Sequence, residues 1–175
     1  MITDPIQQHN LDTYIAKGKE MAAQEERQRQ RMRRKRFDTI AVHGIYNAEA
    51  AQQNQGSIIE PAYLSSAQHF DNSDHMEVAL SYQMPSWTYT RIANPTLHYL
   101  EETLALLEGY GFDGQTSACV TSSGMSAVFM ATHPFIAEQP DQSKPINIVA
   151  SARCYGGTFM SVSSTHPTLP TTLRL

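Results

Sequence analysis

Three short stretches carry residue types that could do chemistry together. The first is Thr121-Ser122-Ser123-Gly124-Met125, a polar turn between the apolar run Ala118-Cys119-Val120 and a helix-spaced apolar set. A strand that feeds a helix through such a turn leaves backbone N–H groups without intrahelical partners. Together with the positive end of the helix dipole, those groups make a seat for an anion, typically a phosphate. Gly124 suits that seat, because a residue without Cβ lets a ligand come close to the backbone. The second stretch is Tyr89-Thr90-Arg91. A guanidinium is a planar fork of donors that matches two phosphate oxygens, and Tyr89 points to the same side if the segment is extended. The third is Tyr155-Gly156-Gly157, where the tyrosine could stack on a flat ring. Each stretch also has an ordinary reading: a serine-capped connection, an Arg–Asp pair beside a packed tyrosine, and a packed loop aromatic.

The elements that must position these residues follow from spacing. Met125, Val128, Phe129, Thr132, Phe135 and Ile136 recur like the buried face of a helix. After a polar loop from Pro140 to Pro145, Ile146–Ala150 reads as a second strand. Ala118–Val120, the helix and Ile146–Ala150 together predict a βαβ unit and hence a parallel sheet. Tyr155 then falls just past the C-terminal end of a parallel strand, where ligands bind in open α/β sheets. Ser161–Leu175 is rich in Ser, Thr and Pro and has no periodicity to extend the sheet. One βαβ unit cannot cover both faces of a parallel sheet, so the α/β domain reads as incomplete.

Upstream, Asn94 is a good N-cap and Pro95 suits the first helical position. Leu97, Leu100, Leu104 and Leu107 then recur at three and four residues, which predicts a helix over residues 95–108 with a leucine core face. Gly109 stands where a C-cap glycine belongs. A short helix over 74–83, started by Ser73 or Asp74, is expected. Residues 37–70 scatter Phe37, Ile40, Val42, Ile45, Ile58, Ile59, Tyr63, Leu64 and Phe70 among Gly44, Gly56 and Pro61. That pattern predicts an extended, partly buried segment rather than a long helix.

Composition narrows the function classes. The 175 residues carry a net charge of -4, unevenly distributed. Residues 1–36 hold 9 Lys/Arg and 5 Asp/Glu, whereas residues 37–175 hold 4 and 12, a net of -8. An acidic body argues against a nucleic-acid surface there. Residues 11–36 read as a polar helical arm with no wide apolar stripe, solvated or lying on a partner. Seven of its residues from Arg27 to Arg36 are basic, and none is interleaved with an aromatic for base stacking. Cys119 and Cys154 are isolated, which speaks against zinc and fits a reduced cytosolic protein. The seven histidines form no metal-binding spacing. No apolar run is long enough to span a bilayer, and the N-terminus has no secretory pattern.

In order, FDTIAVHG from Phe37, GSIIEPAYLSSAQHF, YTRIANPT, LEETLALLEG, SSGMSA and CYGGT match one family. The chain, over about residues 37–160, resembles the N-terminal part of the pyridoxal-phosphate-dependent enzymes of cysteine and methionine metabolism. These include cystathionine γ-synthase, cystathionine γ-lyase, methionine γ-lyase and O-acetylhomoserine sulfhydrylase. The resemblance implies an α/β fold class: an incomplete fold-type-I PLP-transferase large domain with a parallel sheet, preceded by a helical and extended N-terminal arm. The layout would be a basic arm at 1–36, an extended segment and interface loop at 37–94, the start of the pyridoxal-phosphate domain at 95–160, and an irregular tail at 161–175.

The resemblance also implies roles. Gly124 and Met125 would offer backbone N–H groups to the phosphate of pyridoxal 5′-phosphate, with Ser123 beside them. Tyr89 and Arg91 would reach the cofactor phosphate of a neighbouring subunit. Tyr155 would stack on the pyridine ring near the leaving group. Members are cytosolic homotetramers with shared active sites, acting at Cγ of homoserine- or cysteine-derived amino acids to make or break a C–S bond. The family's Schiff-base lysine sits in a Ser/Thr-rich S-x-T-K-type motif, and Lys17, Lys19, Lys35 and Lys144 have no such context. The expectation is therefore a cofactor-binding portion inactive alone, with a non-catalytic module that uses Arg27–Arg36 on an anionic partner as the alternative. The basic arm is not explained by the resemblance.

Overall fold

A computed structural model describes residues 5–137, 150–151 and 153–165. The chain divides into two units, Met1–Ala118 and Cys119–Leu175. The described residues form helices, with no strand among them and an isolated antiparallel bridge between Ala67 and Tyr89.

The first unit is organised on α1 (Pro5–Arg33). The narrow apolar face that suggested a solvated arm is docked on the chain's own body. Leu11, Tyr14 and Ile15 pack with Phe70 around the buried Val78, Ala79 and Met84. Close approach replaces stripe width: a Cβ on Gly18 would stand 2.7 Å from Met84 Cα and 2.9 Å from the Gln83 carbonyl oxygen. Polar contacts fix the register. Asn10 Nδ2 donates to Asp74 Oδ2 at 2.9 Å, Asn72 Nδ2 donates to the Tyr14 hydroxyl at 2.9 Å, and Tyr14 stacks on His75 at 4.8 Å.

At the other end of α1, Met32 joins a second cluster with Ile40, Ile45 and Leu106, flanked by Tyr99 and Leu107. Ile40 comes from α2 (Phe37–His43), which is followed by α3 (Ala48–Gln53). The region expected to be extended thus starts with two short helices. Gly44 between them has φ +53, and a Cβ there would overlap the Thr103 hydroxyl. The turn therefore needs glycine. Beyond Asn54 the chain is irregular, and Ile58, Ile59 and Leu64 are exposed.

The short helix α4 (Ser73–Leu80) begins one residue earlier than expected, because Asn72 is the cap: its Oδ1 accepts the His75 N–H at 2.9 Å. The helix α5 (Pro95–Glu108) has the expected bounds and its Asn94 cap. Its buried face differs from the expected one. Ala105 and Leu106 are buried, whereas Leu97 and Leu100 are about half exposed. His98 and Glu102 of the same helix meet α1, pairing with Glu25 and Arg29. Gly109 follows at φ -86, so no left-handed cap is made. A Cβ there would come within 2.5 Å of Thr116 Oγ1, and that crowding requires glycine.

In the second unit, α6 (Gly124–Ala137) and α7 (Gly156–Thr165) pack together. Of the expected apolar face of α6, Met125, Val128 and Thr132 are half-buried, while Phe129 and Phe135 are exposed. Ala118–Val120, read as a strand, has no ladder among the described residues. Its expected partner at 146–149 and the loop before it lie outside the described residues, as does Lys144. Ser161–Thr165, read as the start of an irregular tail, continues α7. Ser and Thr cost a helix only tenths of a kcal/mol each, and Pro167 is the first strong breaker. The rest of that tail, 166–175, lies outside the described residues.

Candidate functional site

The front of α6 is set by Ser123. Its carbonyl accepts the Ala127 N–H at 3.1 Å, and its Oγ accepts the Ser126 N–H at 3.2 Å while meeting Ser126 Oγ at 2.9 Å. Thr121 Oγ1 donates back to the Ser123 carbonyl at 2.8 Å. Ser123 is thus the N-cap, and the cap serves the third helical amide. The amides of Gly124 and Met125 take no acceptor among the described residues, as the first helical amides cannot find one inside the helix. Gly124 is exposed, and a Cβ built on it meets nothing within 4 Å. These two amides stand at the positive end of the α6 dipole, a position that favours negative charge.

The front of α7 lies against the same residue. The Tyr155 carbonyl accepts the Phe159 N–H at 3.1 Å, which opens the helix. Thr158 Oγ1 lies 3.8 Å from Met125 Sδ. A Cβ on Gly157 would stand 3.2 Å from Met125 Sδ and 2.8 Å from Tyr155 Cε1. Gly157 is therefore what lets Met125 and the Tyr155 ring lie beside the start of α7. Tyr155 is 76% exposed. The second unit brings Ser123, Gly124, Met125 and Tyr155 together around two helix N-termini.

Tyr89 and Arg91 belong to the first unit. They meet as a cation–π pair, with Arg91 Cζ 5.1 Å from the tyrosine ring centroid. They share a side through a turn rather than an extended segment: the Ile92 and Ala93 N–H groups donate to the Tyr89 carbonyl at 2.8 and 3.0 Å. Asn94 pins that turn. It is 4% exposed, and its Nδ2 donates to the Tyr63 carbonyl and to Thr90 Oγ1, both at 3.1 Å. Its Oδ1 accepts the Thr96 N–H at 2.9 Å. The sequence pointed to Asn94 as a cap alone. The wider role depends on Tyr63, more than thirty residues away, and no local signal carries it.

A charged cluster escaped sequence reasoning altogether. Arg29 on α1 grips Glu102 on α5 with two short contacts of 2.6 and 2.7 Å. It also pairs with Glu26 at 3.2 Å and Glu25 at 3.6 Å. Glu25 Oε1 lies 3.3 Å from His98 Nε2. The hydrogen bond from His98 holds the Glu25 carboxyl below its ordinary value, against the opposing effect of burial. Burial works against a charged His98, yet the Glu25 hydrogen bond and charge outweigh it and raise its pKa. Glu25, His98 and Glu102 are close enough to ligate one ion, but the Arg29 guanidinium already supplies the countercharge. No helix among the described residues is long and apolar enough to cross a membrane.

A family model described as Cys/Met metabolism PLP-dependent enzyme matches residues 38–174. The chain is 34% identical over 128 residues to homocysteine/cysteine synthase of Saccharomyces cerevisiae, covering 70% of this chain and 25% of that protein. It is 32% identical over 132 residues to the O-acetyl-L-homoserine sulfhydrylase of Leptospira meyeri, covering 75% and 27%. It is 33% identical over 123 residues to the L-methionine gamma-lyase of Pseudomonas deceptionensis, covering 70% and 27%. The chain thus spans about a quarter of the length of these curated relatives. No solved structure matches it.

Proposed function

The chain belongs to the Cys/Met metabolism PLP-dependent enzyme family, and on that premise we propose that it is the phosphate-binding portion of a transsulfuration-type enzyme. The parent reaction makes or breaks a C–S bond at Cγ of a homoserine- or cysteine-derived amino acid. Gly124 and Met125 hold the phosphate of pyridoxal 5′-phosphate through their amides, and Ser123 keeps those amides free by capping the next one. Tyr155 lies along the pyridine ring beside the leaving group. Tyr89 and Arg91 reach the phosphate bound by a neighbouring subunit of a homotetramer. The bound group supplies an electron sink for carbanions formed on the amino acid; the chain's own residues bind and orient it.

The observation that carries the reading is the Ser123 cap, which serves the Ser126 amide and leaves those of Gly124 and Met125 without an acceptor among the described residues, beside a Gly124 that is exposed. Supporting it, Tyr155 stands on the adjacent helix front with its ring exposed. The α/β fold class of the family supports this reading at the level of the family alone. Chemistry is outside this chain's reach, because its lysines are Lys17, Lys19, Lys35 and Lys144, none in an S-x-T-K-type setting. Its two free cysteines, Cys119 and Cys154, fit work in the reducing cytosol.

Equilibrium dialysis against pyridoxine 5′-phosphate and pyridoxine tests this, since neither reacts with lysine. The phosphate form binds at least tenfold tighter. Gly124→Pro removes one donor yet suits the first helical position, and it costs about 10-fold or more, the worth of a hydrogen bond to a charged group. Gly124→Ala keeps the donor and binds as the wild type does. Equal binding of both ligands, or a silent Gly124→Pro, overturns the proposal.

A further inference from the structure

Helix α1 lies before the family-matched residues, and the phosphate seat gives it no task. We propose that its solvent side is a docking surface for a carboxylate-rich, extended segment of a partner protein, gripped by Arg27 and Arg31, with the exposed Arg34 in the turn that follows. Leu11, Ile15, Gly18, Glu25, Arg29 and Met32 hold α1 on the body. At 100° per residue, Arg27 and Arg31 fall on the opposite side, about 40° apart; both are exposed, as is Arg34 in the turn just past the helix.

The two sides of α1 treat arginine differently. Arg29 has Glu25, Glu26 and Glu102 around it, and Arg33 donates to the Gly114 carbonyl at 3.0 Å. Arg27, Arg31 and Arg34 have no carboxylate within ion-pair distance among the described residues. Like charges at these spacings oppose a helix. The dipole at the helix end compensates for Arg31, but not for Arg27, almost two turns from that end. Among the described residues no carboxylate pairs with this stripe.

Its geometry selects an occupant. Arg27 and Arg31 are about 6 Å apart along the axis, at 1.5 Å per residue. In an extended peptide, alternate side chains on one face are about 6.6 Å apart, so acids at alternate positions meet successive arginines. Arg27 and Arg31 line a groove of roughly 400 Å³ with Gln24 and Gln28, whose far wall is Asn47 and Glu49. The glutamine amides add donors, and Glu49 is held by Gln24 Nε2 at 3.1 Å. Residues 37–175 carry a net charge of -8, which repels a long polyanion such as duplex DNA or an anionic membrane, while a short segment fits along one helix.

The test is fluorescence anisotropy of the whole chain with a labelled peptide of alternating glutamate and serine. Binding should weaken at least fivefold between 50 and 200 mM salt. Arg27→Glu with Arg31→Glu should weaken it at least tenfold with the helix content unchanged. Lys17→Glu with Lys19→Glu makes the same charge change elsewhere on α1 and should alter binding less than twofold. Equal losses in both variants would reduce the effect to net charge and overturn the proposal. So would tighter binding to duplex DNA or to phosphatidylserine vesicles, or self-association that Arg27→Glu with Arg31→Glu abolishes.

Discussion

Replacing Arg29 by methionine keeps much of the side-chain stem and deletes the charge that joins α1 to α5. Arg29 meets Glu102 at 2.6 and 2.7 Å, and the two side chains are 28% and 16% exposed. Exposed pairs contribute about 0–1 kcal/mol, and breaking a buried one costs about 3–5 kcal/mol. A half-buried, two-pronged pair sits between, at about 1–2 kcal/mol. For a unit of this size each kcal/mol moves the melting temperature by roughly 3–5 °C, so Arg29→Met should lower it by about 3–10 °C. Circular dichroism melts of Arg29→Met, Glu102→Gln and the double variant give the coupling directly. The expected coupling is about 1–2 kcal/mol. A coupling under about 0.3 kcal/mol, the range of independent sites, would refute the claim that this pair fastens α1.

Two further outcomes follow from the same unit. His98 has a raised pKa in the fold, so its pairing stabilises fully below its ordinary value of 6.5 and is lost as pH rises through the folded value. Glu25 has a lowered pKa, so its contribution is present above its ordinary 4.5 and is lost as pH falls through its folded value. The stability difference between wild type and His98→Gln should therefore be largest between about pH 4.5 and 6.5 and shrink as pH rises through the folded value; a flat profile in denaturant titrations would count against the pairing. Ile40→Ala, at 1% exposure, should cost about 2–5 kcal/mol, whereas Ile58→Ala, at 92% exposure, should stay within about 0.5 kcal/mol. Urea midpoints would separate the two.

What was legible in the sequence was local. Asn94-Pro95 and Gly109 bracket α5 because caps act within one turn, and Ser123-Gly124 marks the start of α6 for the same reason. The choice of buried face was not legible, since it is made by partners far along the chain. Arg29 and Glu102, which join α1 to α5, are 73 residues apart. Docking of α1 was hidden because it works through Gly18, where absence of a side chain does what an apolar stripe does elsewhere. The front of α6 was readable because the amides it leaves over belong to the backbone, whose position follows from where a helix begins. The parallel sheet was inferred from Ala118–Val120 and Ile146–Ala150, and strands become a sheet only through a ladder. Ala118–Val120 makes none among the described residues.

Amide chemical shifts of the isotope-labelled chain, followed as pyridoxine 5′-phosphate is added, probe the seat itself. The Gly124 and Met125 N–H resonances should move most, in a saturable way, with pyridoxine leaving them in place. Shifts confined to the arginines of α1, or none at the front of α6, would contradict a phosphate held there.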